Sequence, residues 1–201
     1  MNSEIILTNI DKKFNSKEVL RSFNFSFKNK NFYRISGRNG SGKTTLFKII
    51  KNIYLPDSGT IQFTDKELEN ISYIDNNPRS FFHRLQVIDN LVYFLSLNNL
   101  NYKNELIIDL LDFFELSKVK NKVFSDLSQG QMQAISIIRG LSYSPKVILF
   151  DESFSFLDKN YKSLIQEYIR KKINNDEGIV IFCSHEKDIF KSIDYEEILL
   201  K

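Results

Sequence analysis

The chain has 201 residues, which is enough to bury one substantial hydrophobic core and favours a single compact unit. Its 28 Lys and Arg residues against 25 Asp and Glu residues give a net charge of +3, which excludes the strong basic bias of nucleic-acid-binding proteins. The single cysteine, Cys183, excludes an internal disulfide and a cysteine-rich zinc site, and indicates a reducing compartment.

The first part of the chain predicts strands around one short helix. Residues 20–27 place three phenylalanines at period two, the alternation of a half-buried strand, which indicates an antiparallel element near the N-terminus. The elements expected next, in order, are a strand at 32–36, a helix at about 43–52, a turn at 56–59 and strands at about 60–64 and 71–74.

The second part predicts helices around strands that are buried on both faces. Residues 85–122 carry apolar stripes three and four apart, so we expect an all-helical insert there. Further helices are expected at about 128–143 and 159–173. The runs KVILF and IVIFC are apolar throughout, as in the strands of a parallel sheet. The strands expected here are 146–150, 179–183 and a last short one at 196–200.

A glycine-rich stretch after the strand at 32–36 predicts a phosphate site. Residues 37–44, GRNGSGKT, match the pattern G-x-x-x-x-G-K-[ST] between a strand and a helix. Glycines let backbone N–H groups converge on phosphate oxygens, and the helix N-terminus adds its positive dipole end. Lys43 would reach the outer phosphates and Thr44 would ligate Mg²⁺. The predicted nucleoside triphosphate site comprises Gly37, Asn39, Gly40, Ser41, Gly42, Lys43, Thr44 and Thr45.

Two acidic residues end the apolar strand VILFDE, residues 147–152. The carboxyl end of this strand should lie beside the phosphate loop, because ligands of parallel sheets bind at that edge. Asp151 would help to hold the metal ion. Glu152 would orient or deprotonate an attacking water molecule.

The stretch LSQGQMQAISIIRGL, residues 127–141, resembles the L-S-G-G-Q signature and following helix of the nucleotide-binding subunits of ATP-binding cassette (ABC) transporters. The resemblance runs over nearly all 201 residues. It implies a homodimer or heterodimer in which Ser128, Gly130 and Gln131 of one subunit close over the γ-phosphate held by the other. Without the resemblance, Ser128 reads as an ordinary helix N-cap, and that role can hold as well.

The resemblance carries over three further residues. Asp158, in SFLD, would belong to the loop that crosses the dimer interface. His185 follows the strand IVIFC, where the family places a histidine that contacts the γ-phosphate and helps to arrange the water. Phe14 corresponds to the aromatic residue that stacks on adenine, with a place in the hydrophobic core as its alternative. With Glu152 and Lys43, His185 completes the expected catalytic set, and the implied ligands are ATP and Mg²⁺.

Three positions depart from the family pattern. Asn76 stands where the family has a glutamine that contacts Mg²⁺ and the attacking water, and it is shorter by one methylene. Its shorter reach leaves two alternatives open, slower hydrolysis or a loop that lies closer to the metal. Gln129 replaces the second signature residue, a glycine, and Ser153 replaces the proline common after the catalytic glutamate. Neither change removes a group that hydrolysis requires.

The resemblance implies an α/β fold. We expect a P-loop NTPase core with a mostly parallel central sheet, an N-terminal antiparallel β-subdomain and an inserted α-helical subdomain. The whole chain, 1–201, would form one nucleotide-binding domain, with 1–75 and 145–201 as the catalytic core. Residues of about 76–144 would form the helical subdomain that carries the signature and a docking groove for a membrane partner.

The expected function is an ATPase that converts ATP and water to ADP and phosphate and drives transport through separate transmembrane subunits. IDNLVYF, residues 88–94, and the short C-terminal region favour an exporter over an importer. The sequence has neither a signal peptide nor a run of about 18 apolar residues, so we expect a cytoplasmic protein held at the inner face of the membrane by its partner. The alternatives are a soluble ABC ATPase for iron–sulfur assembly and a nucleotide-gated binding module with little hydrolysis.

Overall fold

The computed structural model describes residues 3–77, 80–97, 104–176, 178–186, 189–190 and 193–200, without side-chain detail at 104 and 173–176. Most of its helices and strands lie where the sequence predicts them, although the first strand was not expected. In chain order they are β1 (Glu4–Phe14), β2 (Lys17–Lys28), β3 (Phe32–Gly37), α1 (Lys43–Ile50), β4 (Ser58–Phe63), β5 (Ile71–Asp75), α2 (Val87–Ser96), α3 (Asn104–Phe113), α4 (Gln129–Leu141), β6 (Val147–Asp151), α5 (Lys159–Asp176), β7 (Ile179–Cys183) and β8 (Glu196–Leu200).

The central sheet is parallel, with the strand order β5-β6-β7-β3-β8. Every residue of β6 and β7 is buried, as their continuous apolar runs predict. Because all the strands run in one direction, the segments that follow β3, β5, β6 and β7 emerge at the same edge. This edge therefore brings together the glycine loop, the acidic pair and His185.

An antiparallel sheet, with the order β2-β1-β4, packs near one face of the parallel sheet. The sequence alone does not predict β1. Its apolar alternation changes phase: Ile5, Leu7 and Ile10 are buried, and the register shifts between Leu7 and Ile10. Asn9 lies in the left-handed region, with φ 51°, and this irregularity interrupts the period-two pattern.

Two hydrophobic clusters cover the two faces of the parallel sheet. Val147 and Leu149 of β6 pack into one with α1 and the antiparallel sheet, whereas Ile148 and Phe150 pack into the other with α2, α3 and α4. This alternation follows from the period of two along a strand. The α/β fold class is confirmed; the division into a catalytic core and a helical subdomain stays a prediction.

The expected helical insert is only partly helical. The described part of 85–122 contains α2, α3 and a single 3₁₀ turn at Ser117–Val119, and Gln86 forms an isolated antiparallel bridge with Val123. The turn expected at 56–59 is shorter, because β4 already begins at Ser58. Among the described residues, no helix is long and apolar enough to cross a membrane.

Candidate functional site

The glycine loop after β3 wraps closely around the start of α1. Gly40 and Gly42 lie in the left-handed region, with φ 79° and 97°, and Gly42 is the N-cap residue of α1. The Lys43 ammonium donates to the backbone oxygens of Gly37, at 3.0 Å, and Arg38, at 3.2 Å. Ser41 Oγ is buried and makes no hydrogen bond within the described part of the chain. Such a loop presents N–H groups, one ammonium and an unpaired hydroxyl to an anion.

Gly42→Ala is expected to damage the loop by two separate effects. A Cβ at this position would lie 2.9 Å from the Val19 carbonyl oxygen, and the left-handed backbone disfavours any side chain. We expect a loss of about 2 to 4 kcal/mol of folding stability together with weaker triphosphate binding. Thermal unfolding and a nucleotide titration would measure both.

Gly40→Ala is the matched control for that prediction. Gly40 shares the left-handed backbone, but an added Cβ would meet only the Lys17 ammonium, at 3.8 Å. The Gly40→Ala variant should therefore lose only the folding stability that the left-handed backbone costs an alanine, about 1 kcal/mol. Equal melting temperatures for the two variants would contradict the steric part of the argument.

Asp151 is the last residue of β6 and is held from both sides by neighbouring strands. The residue is only 7% exposed. Its carboxylate accepts one hydrogen bond from the Tyr73 hydroxyl at 2.7 Å and one from Cys183 Sγ at 3.0 Å. Burial, followed by the charge of Asp151, raises the pKa of both Tyr73 and Cys183. Both groups therefore stay protonated at neutral pH and act as donors that fix the carboxylate.

Glu152 adopts a strained backbone conformation, with φ 54°, directly after the strand. Its N–H donates to the Cys183 carbonyl at 3.1 Å, and its Oε2 accepts from the backbone N–H of His185 at 3.2 Å. Oε1 lies 3.4 Å from His185 Nε2, an ion pair when the imidazole is protonated, and is a buried atom without a hydrogen bond in the described structure. Glu152 and His185 therefore face each other across the sheet edge.

These groups meet in one open cleft of about 440 Å³. The cleft brings together most of the predicted site, namely Phe14, Asn39, Gly40, Gly42, Lys43, Thr44, Thr45, Asp151, Glu152 and His185. Phe14 is 41% exposed at this cleft, so its alternative place in the hydrophobic core is wrong. Its ring packs edge-on against Tyr54, with a centroid distance of 5.6 Å.

The cleft and the residues that support it include side chains whose role the sequence did not indicate. Lys17 and Val19 line it because β2 passes over the glycine loop. Tyr73 and Cys183 contact Asp151 without appearing in any motif. The sequence marks these two residues only by their positions near the carboxyl ends of strands. Those positions indicate a contact with Asp151 only when it is known that β5 and β7 flank β6.

The signature residues lie outside this cleft. Ser128 and Gln131 form a capping box at the start of α4, with hydrogen bonds of 3.1 and 3.2 Å. A Cβ on Gly130 would lie 3.1 Å from the Phe156 carbonyl oxygen, so this helix end lies against the segment 155–158. Asp158 accepts from the Tyr161 N–H at 2.9 Å, at the start of α5. Their predicted contact with the nucleotide of another subunit stays a prediction.

The three departures from the family pattern have definite places in the fold. Asn76 follows β5 directly and is half-buried, but does not line the cleft. Gln129 is the first residue of α4 and is exposed. Ser153 is buried, and its hydroxyl donates to the Ile74 carbonyl at 2.5 Å.

The oxygen donors of the cleft fit a magnesium ion. The Thr44 hydroxyl and the Asp151 carboxylate line the same cleft, and the described residues hold no group of three or more His, Cys, Asp or Glu side chains suited to a metal. Mg²⁺ typically takes one or two protein oxygens and keeps water and phosphate oxygens as its remaining ligands. A sparse, all-oxygen donor set therefore suits Mg²⁺ bound together with a triphosphate.

Comparison with known proteins shows which family the chain resembles. The family model described as "ABC transporter" matches residues 20–155. The "Probable iron export ATP-binding protein FetA" of Escherichia coli (strain K12) is 31% identical over 90% of this chain and 84% of its own length. The "Sulfate/thiosulfate import ATP-binding protein CysA" of Mesostigma viride is 30% identical over 91% of this chain and 55% of its own length.

Solved structures show the same fold. A nucleotide-free ATP-binding cassette from an ABC transporter superimposes with a TM-score of 0.83 at 23% identity, over 98% of this chain and 87% of that one. The cbiO1 protein of Clostridium perfringens, described as part of the ABC transporter complex cbiONQ, gives a TM-score of 0.81 at 22% identity, over 100% of this chain and 86% of that one.

Proposed function

The chain belongs to the ABC transporter family and is an ATPase subunit of that family; we propose that it hydrolyses ATP in the cleft described above to power export through separate transmembrane subunits. The observation that carries the proposal is the convergence of the glycine loop, Asp151, Glu152 and His185 at one sheet edge. We place the protein at the inner face of the membrane, held there by its partner.

The polar residues at the sheet edge divide the work of hydrolysis in this proposal. The loop N–H groups and Lys43 would bind the phosphates, and Thr44 and Asp151 would hold Mg²⁺, whose charge would offset that of the phosphate oxygens. Glu152 Oε1, which has no hydrogen bond among the described residues, accepts a proton from the attacking water. His185, 3.4 Å from that oxygen, orients the water and the outer phosphate. Asn76, which follows β5, would reach the metal ion only through water.

A second copy, or a homologous subunit, completes the site in this proposal. Ser128 and Asp158 are exposed, and Gly130 lies beside the segment 155–158, so these groups share one surface at the start of α4. Ser128, Gly130 and Gln131 would close over the phosphates held by the other subunit.

An apolar patch around α2, formed by Tyr93 of the helix and three residues that flank it, supports a membrane partner. Phe82, Leu85, Tyr93 and Leu97 are all at least 40% exposed, and the Phe82 and Tyr93 rings contact each other edge-on with a centroid distance of 4.9 Å. Tyr93 and Leu97 are four residues apart along the helix and so share a face. We call these four residues the α2 patch and assign the transmembrane subunit to it. Exposed aromatic clusters of this kind are typical of protein interfaces.

The direction of transport is the finer part of the proposal. The chain spans 84% of the iron export protein FetA but only 55% of the Mesostigma CysA and 56% of the "Spermidine/putrescine import ATP-binding protein PotA" of Mycoplasma mycoides, which is 33% identical over 93% of this chain. FetA is described as an export protein, and the proposal takes its direction from that relative. A CysA of Chlorella vulgaris, matched over 87% of its length, points to import, so the partner must decide.

The test is a mild-detergent pull-down of the intact chain from its native cells, with mass spectrometry of the stoichiometric partner. We expect a polytopic membrane protein, and its topology separates an exporter from an importer. Tyr93→Asp should abolish this capture and leave the ATPase activity of the isolated chain within about twofold, because it places a charge in the α2 patch. Leu199→Asp, on an exposed apolar residue of β8, is the control and should retain the partner.

Recovery of a soluble partner in stoichiometric amount would contradict transport and support an assembly ATPase. Equal loss of the membrane partner in both aspartate variants would show that the α2 patch is not the docking surface.

A further inference from the structure

The end of β5, just before Asn76, is held by side chains from two other elements. The Ile74 carbonyl accepts from Ser153 Oγ at 2.5 Å, and the next carbonyl, that of Asp75, accepts from Gln133 Nε2 at 3.1 Å. Ser153 is 0% exposed and Gln133 is 1% exposed. Ser153 follows Glu152 in the catalytic loop, whereas Gln133 lies on α4. Two consecutive carbonyls are therefore bound by buried side chains immediately before the amide-bearing residue.

The position of β5 in the sheet explains why these bonds matter. β5 is an edge strand, and its last paired residue is Asp75, opposite Asp151. Beyond that pair the strand has no further backbone ladder to fix its course. The Ser153 hydroxyl supplies a cross-link to Ile74, two residues before Asn76, and this cross-link starts from the loop that contains Glu152. The Ser153 bond therefore adds a side-chain tie between that loop and the end of β5, beside the ladder pairs of Ile74 with Phe150 and Asp75 with Asp151.

We propose that Ser153 is a positioning residue that draws the β5 end toward the catalytic loop, so that the short amide of Asn76 reaches the water shell of the magnesium ion. The proposal rests on the proposed function, because it places Asn76 at the hydrolytic site. Asparagine is shorter than glutamine by one carbon–carbon bond, about 1.5 Å, and a displacement of that order affects reaction rates strongly. Alanine or proline at position 153 has no hydroxyl and cannot donate this bond.

The experiment is a double-mutant cycle in the full chain with Ser153→Ala, Asn76→Gln and the double variant. Magnesium is titrated into the protein bound to N-methylanthraniloyl-ADP, and the fluorescence gives the half-saturating Mg²⁺ concentration without turnover. The ATPase kcat and KM are measured in parallel. Ser142→Ala is the matched control: that hydroxyl is 6% exposed and donates to the Ile138 carbonyl at 2.7 Å, but it lies at the far end of α4.

We expect Ser153→Ala to raise the half-saturating Mg²⁺ concentration about tenfold and to lower kcat about tenfold, as is usual when a group behind a metal site is removed. Ser142→Ala should change neither the half-saturating Mg²⁺ concentration nor kcat by more than about twofold, because its hydrogen bond lies far from the metal site. Asn76→Gln alone should hydrolyse ATP faster, because its longer amide reaches the water shell of the metal ion more easily. The double variant should match Asn76→Gln within about twofold, since the longer amide no longer needs the Ser153 bond.

The inference is overturned if Ser153→Ala binds Mg²⁺ like the unmodified chain, if the double variant is as impaired as Ser153→Ala, or if Asn76→Gln abolishes turnover. An unmodified chain without ATPase activity would refute the proposed function instead. The Mg²⁺ titration on bound ADP would still test the Ser153 bond, because it requires no hydrolysis.

Discussion

Replacing Glu152 with glutamine is expected to lower kcat for ATP at least about a hundredfold while nucleotide affinity stays within about twofold. Glutamine has nearly the same size and can still accept the hydrogen bond that the His185 N–H donates to Glu152, 3.2 Å long in the structure. It cannot take a proton from water, because its amide is not basic. The variant should therefore bind ATP, remain loaded and accumulate as an ATP-bound dimer on size-exclusion chromatography.

Glu186→Gln is the matched control for this experiment. Glu186 lies one residue beyond His185, but its carboxylate is paired with the Lys162 ammonium at 2.6 Å and does not line the cleft. Its variant should hydrolyse ATP within about twofold of the unmodified chain, since an exposed ion pair contributes little. A Glu152→Gln protein with undiminished turnover would show that the base lies elsewhere.

The parts of the site that follow from local sequence were predictable. The glycine loop needs a fixed spacing of residues between a strand and a helix, and the structure places most of those residues around one cleft. The apolar runs that end in Asp151 and Cys183 likewise predict buried strands, because strands of a parallel sheet with both faces covered are apolar throughout. Both predictions depend on chain neighbours alone.

The parts that depend on strand order were not predictable. Tyr73 and Cys183 become donors to Asp151 only because β5 and β7 flank β6. Ser153 looked like a harmless departure, and its hydrogen bond to Ile74 joins residues far apart in sequence. β1 was not predicted either, because its strand pairing shifts register and its buried positions change phase near Asn9, so the sequence shows no regular alternation there. Residues that support a site from a neighbouring strand have no local pattern.

Lys43→Ala is the second substitution with a large expected effect, and it acts on binding. In the structure the Lys43 ammonium donates to the Gly37 and Arg38 carbonyls, which places its charge over the glycine loop. Each hydrogen bond to a charged group contributes about 1.5 to 3 kcal/mol, so losing the ammonium should weaken ATP binding about a hundredfold. Titration of N-methylanthraniloyl-ATP measures that loss.

The stability of the Lys43→Ala variant separates a binding role from a structural one. The Arg38 carbonyl belongs to an exposed residue, and Lys43 lines the open cleft, so water can replace the lost hydrogen bonds and the melting temperature without nucleotide should fall by only a few degrees. Lys48→Ala removes the same charge from the same helix, where the ammonium lies 5.3 Å from the Tyr54 ring and outside the cleft. That control should keep its ATP affinity within about twofold, because only Lys43 can reach the phosphates. Equal weakening in the two variants would mean that the general charge of α1, and not the Lys43 ammonium over the loop, attracts the nucleotide.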